Sequence, residues 1–77
     1  MDRIRTKDKQ SGKRGWLARQ WCGMDLELRV LKSEAGYYLG TADESGPVSR
    51  ESDEYWPSCE EAETALDRDA WTQRPAP

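Results

Sequence analysis

What most constrains this chain is how little aliphatic material it offers for a core. Ile, Leu and Val occur only at Ile4, Leu17, Leu26, Leu28, Val30, Leu31, Leu39, Val48 and Leu66, and there is no Phe. With 77 residues the chain makes one domain. A domain this small buries only about 60% of its unfolded surface, so its stability is marginal. The core must therefore recruit aromatics, each of which buries roughly 150–250 Å². Trp16, Trp21, Tyr37, Tyr38, Tyr55, Trp56 and Trp71 are accordingly expected to be packing residues first and recognition residues second.

The net charge of −3 conceals an asymmetry. Residues 1–20 carry seven cations against two acids, a net of +5, whereas residues 21–77 carry five cations against thirteen acids, a net of −8. A basic leader is joined to an acidic body, which suggests a polyanion-binding tail or a tail that folds back on its own body. Residues 1–14 are polar and aperiodic, so the expectation is a disordered basic arm. They lack the apolar stretch of a secretory signal, and no apolar run approaches the ~20 residues needed to span a bilayer. These features lead us to expect a cytoplasmic protein that does not enter a membrane.

The single α+β domain is expected over residues 15–72, with a flexible tail at 73–77. The stretch from Trp16 to Trp21 fits either period. As a strand it aligns Leu17, Arg19 and Trp21; as a helix, Leu17, Trp21 and Met24. The bracketing Gly15 and Gly23 favour a short strand. From Leu26 to Lys32, Leu26, Leu28 and Val30 alternate with Glu27, Arg29 and Leu31, the period of a half-buried strand. Ser33-Glu34-Ala35-Gly36 reads as a turn, and Tyr37 to Thr41 returns as the second arm of a β-hairpin. Asp43 to Pro47 is a loop by composition. Val48 to Tyr55 reads either as a charged edge strand or as an irregular excursion. Ser58 with Glu61 forms a capping box that opens a helix ending near Asp69, with Cys59, Ala62, Ala65, Leu66 and Ala70 along its apolar stripe. Trp71 is expected to tuck back onto the core. The fold class is therefore α+β: an antiparallel sheet of three to four strands followed by one C-terminal helix packed on one face.

Catalytic machinery is not visible. The chain has no histidine to serve as base for a serine, and no nucleophile-elbow signature. Cys22 and Cys59, without imidazole, cannot fill a tetrahedral zinc site within one chain. Two cysteines make no disulfide framework. Cys59 opens a helix, which lowers a thiol pKa, but Glu60 and Glu61 oppose this, and a small core residue is the simpler reading. Asp43-Glu44-Ser45-Gly46 lacks the spaced oxygens of an EF-hand, and no glycine-rich phosphate loop is present. No cofactor, metal or enzymatic activity is expected.

Two binding surfaces are suggested instead. Lys13, Arg14, Trp16, Arg19 and Trp21 interleave cations with aromatics, a pattern suited to phosphates and unpaired bases. Glu51, Asp53, Glu54, Glu60, Glu61 and Glu63 are dense enough to imitate a phosphate backbone and occupy a basic groove.

The segments Gly36-Tyr37-Tyr38-Leu39-Gly40-Thr41, Gly46-Pro47-Val48-Ser49-Arg50-Glu51-Ser52, Glu61-Ala62-Glu63-Thr64-Ala65-Leu66 and Trp71-Thr72-Gln73-Arg74 resemble small hypothetical proteins of plasmids, integrative elements and phages. The resemblance covers about half the chain and implies a mobile-element setting. Strands followed by an Ala-Glu-rich helix also resemble the arm-type DNA-binding domains of phage integrases. There the sheet is basic, whereas Leu26 to Thr41 here offers only Arg29 and Lys32. The function expected is that of a non-catalytic accessory binding protein contacting protein or nucleic acid through the basic arm and aromatic surface. The alternative is an acidic, nucleic-acid-mimicking inhibitor. A homodimer is compatible with either.

Overall fold

A computed structural model describes residues 13–76 as an α+β unit whose elements run α1 (Trp16–Cys22), β1 (Arg29–Ser33), β2 (Gly36–Asp43), β3 (Gly46–Arg50) and α2 (Cys59–Arg68). The three strands form one antiparallel sheet in the order β1-β2-β3. Most of the arm expected at residues 1–14 lies outside the described residues. Its last two members, Lys13 and Arg14, belong to the folded body.

The first hairpin follows from its turn. Ser33 pairs with Gly36, leaving Glu34 and Ala35 as a two-residue connection. The Ser33 hydroxyl accepts from the Ala35 amide and donates to the Gly36 carbonyl, which closes the turn. The second hairpin is tighter than a composition-based loop: Asp43 pairs with Gly46, and the Asp43 carboxylate accepts from the Ser45 amide. Gly36 and Gly46 have φ of 130° and 126°, where an L side chain would be strained. Pro47, which has no amide hydrogen, sits on the edge strand, and a bulge between Thr41 and Ala42 absorbs Val48.

Both readings of residues 48–55 hold in part. The strand ends at Arg50. The amides of Glu51 and Ser52 then both donate to the Leu39 carbonyl, and the Ser52 hydroxyl accepts from the Leu39 amide. The chain leaves the sheet and returns at Trp56, which exchanges both backbone bonds with Tyr37.

The register assigns the two faces. Val30, Tyr37, Leu39 and Thr41 lie on one face, and Arg29, Leu31, Tyr38, Gly40 and Arg50 on the other. The core forms on the first face, where Leu28, Leu39, Ala62 and Leu66 cluster and Val30, Tyr37, Trp56 and Trp71 pack around them. As the thin aliphatic supply dictates, aromatics complete it.

The hydroxyl half of the expected capping box opens α2. The Ser58 hydroxyl accepts from the Glu61 amide at 3.1 Å and donates to the Glu61 carboxylate at 3.3 Å. Ala62, Ala65 and Leu66 form its buried stripe.

One element departs from expectation. Trp16 to Cys22 is a helix, not a strand, so the sheet is flanked by two helices. Its N-cap, Gly15, has no side chain to cap with, and none of its first-turn residues is acidic. The cap comes from elsewhere.

Candidate functional site

Glu51 organises the region. Its residue is fully buried, at 0% exposure. One carboxylate oxygen accepts from the Leu17 amide at 2.9 Å and from Gln73 Nε2 at 2.8 Å. The other accepts from the Ala18 amide at 3.1 Å and from Ser49 Oγ at 2.6 Å. A negative charge thus sits on the otherwise unsatisfied amides of the first turn of α1, where the helix dipole favours it. Four donors offset the cost of burying the charge. The backbone of Glu51 is equally engaged. Its carbonyl accepts from the Arg74 amide and from Gln73 Nε2, which ties the C-terminal segment to the same point.

Held there, α1 turns Leu17 and Ala18 inward, both at 0% exposure. It turns Trp16 and Trp21 outward, at 45% and 59% exposure, with Arg19 also exposed. Trp16, Arg19 and Trp21 are thereby exposed on one short element, α1, so two of the aromatics expected to pack lie outside the core.

Lys13 and Arg14, placed in the same set by sequence, are not part of that display. Lys13 Nζ donates to the Leu66 carbonyl at 2.6 Å and to Asp69 Oδ1 at 2.7 Å, closing the C-terminal end of α2. Asp69 there adopts the left-handed region, with φ of 54°, and ends the helix. Arg14 donates to the Asp25 carboxylate at 3.0 Å. That bond holds the Asp25 carboxyl below its ordinary range and raises the guanidinium. The basic leader folds its last two cations onto the body.

The acidic set does not form a continuous stripe. Glu51 is internal. Glu54 accepts the Thr72 amide at 3.0 and 3.1 Å, and Asp53 lies 3.5 Å from Arg74. Burial works against the charge on Glu54, but the bonds from Thr72 outweigh it and lower its pKa. Glu61 belongs to the capping box. Glu60 and Glu63 are exposed on α2. Beside them the Cys59 thiol is pushed up by burial and then by Glu63 and Glu60. Cys22 and Cys59 are both free thiols.

Sequence reasoning placed Glu51 on a solvated surface. Its role depends on donors 22, 33 and 34 residues away, for which no local spacing is a signal. A groove of about 520 Å³ runs along α2, lined in part by Trp56, Ser58, Glu61, Thr64 and Arg68. On the second face of the sheet Tyr38 is buried under Tyr55, their rings edge-to-face at 5.8 Å, and Arg50 lies 4.7 Å over the Tyr55 ring. Burial, with Tyr55 beside it, raises the Tyr38 hydroxyl pKa. Among the described residues no helix is long and apolar enough to cross a membrane.

Comparison with known protein families, curated proteins and solved structures finds no match to this chain.

Proposed function

We propose that this protein is a non-catalytic accessory binding protein that docks on a protein partner through α1, with Trp16 and Trp21 as anchors. The setting is the mobile-element one that the resemblance implies. The observation that carries the reading is the exposure of two of the four tryptophans on one helix. A chain this short of aliphatic residues forgoes burial worth roughly 1.5–3 kcal/mol for each large apolar side chain left outside. Trp and Arg are also the residue types most enriched among interface anchors. A protein partner is favoured over nucleic acid at this surface because Lys13 and Arg14 are already paired with Asp69 and Asp25. Among its six residues the acidic-mimic reading keeps Glu60 exposed and Glu63 exposed but accepting from the Cys59 thiol, while the other four hold the fold together, and it is supported less.

A benzophenone side chain placed at position 21 tests the proposal by photo-crosslinking in the cell of origin. A discrete protein adduct, abolished by Trp16→Ala in a chain whose thermal midpoint is unchanged, is the expected result. Adducts to nucleic acid alone, or none that depend on Trp16, contradict it.

A further inference from the structure

The second face of the sheet carries charges that sequence order disperses. Arg29 pairs with Gly40, and Gly40 pairs with Arg50, so one row across three strands reads Arg-Gly-Arg. Two strand spacings put the backbones of the arginines roughly 9–10 Å apart. Lys32 is on the opposite face, where it lies over Tyr37, so the cations of this surface are Arg29 and Arg50 rather than Arg29 and Lys32.

Neither arginine is neutralised. Among the described residues neither has a carboxylate within salt-bridge distance, unlike Lys13, Arg14 and Arg74. The Arg50 guanidinium lies over the Tyr55 ring and donates to the Tyr55 hydroxyl, yet its Nε is buried with no acceptor. A buried donor left unpaired is costly, and an oxyanion supplies the missing acceptor once the Arg50 side chain turns outward to meet it. The strand residues that share the face, among them Leu31, Ser33, Tyr38 and Ala42, include no acid. The backbone of Glu27, two residues before Arg29, pairs with that of Arg14. Both helices pack on the Leu39 face, α2 through the core cluster and α1 through Glu51, so among the described residues no helix covers this one.

We propose that this face binds single-stranded nucleic acid, with Arg29 and Arg50 on phosphates and Tyr55 against a base. The charge is complementary, the two cations are spread along one row for a chain of anions, and Tyr55, at 38% exposure, supplies an aromatic surface beside them. The site is separate from α1 and goes beyond the protein contact proposed there.

The test is fluorescence anisotropy of a labelled thymidine 12-mer titrated with the full chain across a salt series. Each phosphate neutralised on a single strand contributes about −0.7 to the slope of log K against log salt. Arg29→Gln and Arg50→Gln are each expected to make the slope shallower by about 0.7, and the double variant by about 1.4. Arg50→Lys keeps the slope. Tyr55→Ala weakens binding at least about fivefold, the lower end of one lost base stack, and leaves the slope unchanged. Arg29 is exposed, so its variant reads the surface without disturbing the fold. Any of three results overturns the proposal: a double variant with wild-type slope and affinity, loss of binding in Trp21→Ala, or displacement of the 12-mer by polyglutamate as effectively as by unlabelled strand.

Discussion

The two helices of this molecule solve the same problem in opposite ways. Each must satisfy the free amides of its first turn. In α2 the answer is local: the Ser58 hydroxyl accepts the Glu61 amide three residues on. In α1 the answer is remote: Gly15 offers no cap, and Glu51 supplies both acceptors across 33 and 34 residues. A local cap lets a segment prefer helix before the fold exists. A remote cap makes the helix a consequence of the fold, so α1 and the tryptophans it displays depend on tertiary structure in a way that α2 does not.

The sharpest way to break that contrast is Glu51→Ala. It strands the Leu17 and Ala18 amides and takes one acceptor each from the Ser49 hydroxyl, which keeps Thr41, and from Gln73 Nε2, which keeps the Glu51 and Arg74 carbonyls. At about 1–3 kcal/mol for each buried donor left unsatisfied, the loss is comparable with the whole stability of a small domain. Urea unfolding followed by circular dichroism should show at least about 3 kcal/mol lost, or no folded baseline, with Glu51→Gln intermediate. Gly15→Ala probes the same joint from the other side. A Cβ there would sit 2.3 Å from Thr41 Cγ2 and 2.9 Å from Glu51 Oε2, and the expected cost is about 1–3 kcal/mol by the same assay. Ser58→Ala removes the local cap and should cost only about 1 kcal/mol, leaving near-native tryptophan fluorescence.

The smallest effect expected is a pH dependence at the C-terminal segment. Glu54 has a folded pKa below its ordinary value of 4.5, because the bonds from the Thr72 amide outweigh burial. The unfolded chain therefore takes up its proton first as pH falls. The stabilisation is complete above about 4.5 and is lost as pH drops through the lowered folded value. Unfolding midpoints measured from pH 6 down to about 2.5 should show a contribution that disappears in Glu54→Gln.

The same contrast explains how much was legible in the sequence. The hairpin from Leu26 to Thr41 and the helix after Ser58 were legible because alternation, turn residues and the capping box are short-range signals. The place of Trp56 and Trp71 around the core followed from the shortage of aliphatic residues. The helix at Trp16 to Cys22 was not legible: seven residues bracketed by glycines carry no cap of their own, and the deciding group lies in a polar stretch that resembles a surface. The candidate sites divided in the same way. The exposure of Trp16 and Trp21 ran against the expectation that the aromatics pack. Lys13 was misplaced because its partners lie 53 and 56 residues along the chain. Arg29 and Arg50 were not associated because only strand register aligns them.

Native-state hydrogen exchange of the Leu17 and Ala18 amides, read by NMR, tests the remote cap most directly. Amides of a first helical turn have no intrahelical acceptor and ordinarily exchange quickly. Protection here should approach that of the β2 core amides, and Glu51→Gln should reduce it at these two positions before it affects α2. Rapid exchange at Leu17 and Ala18 in the unmodified protein, with β2 protected, would contradict the account.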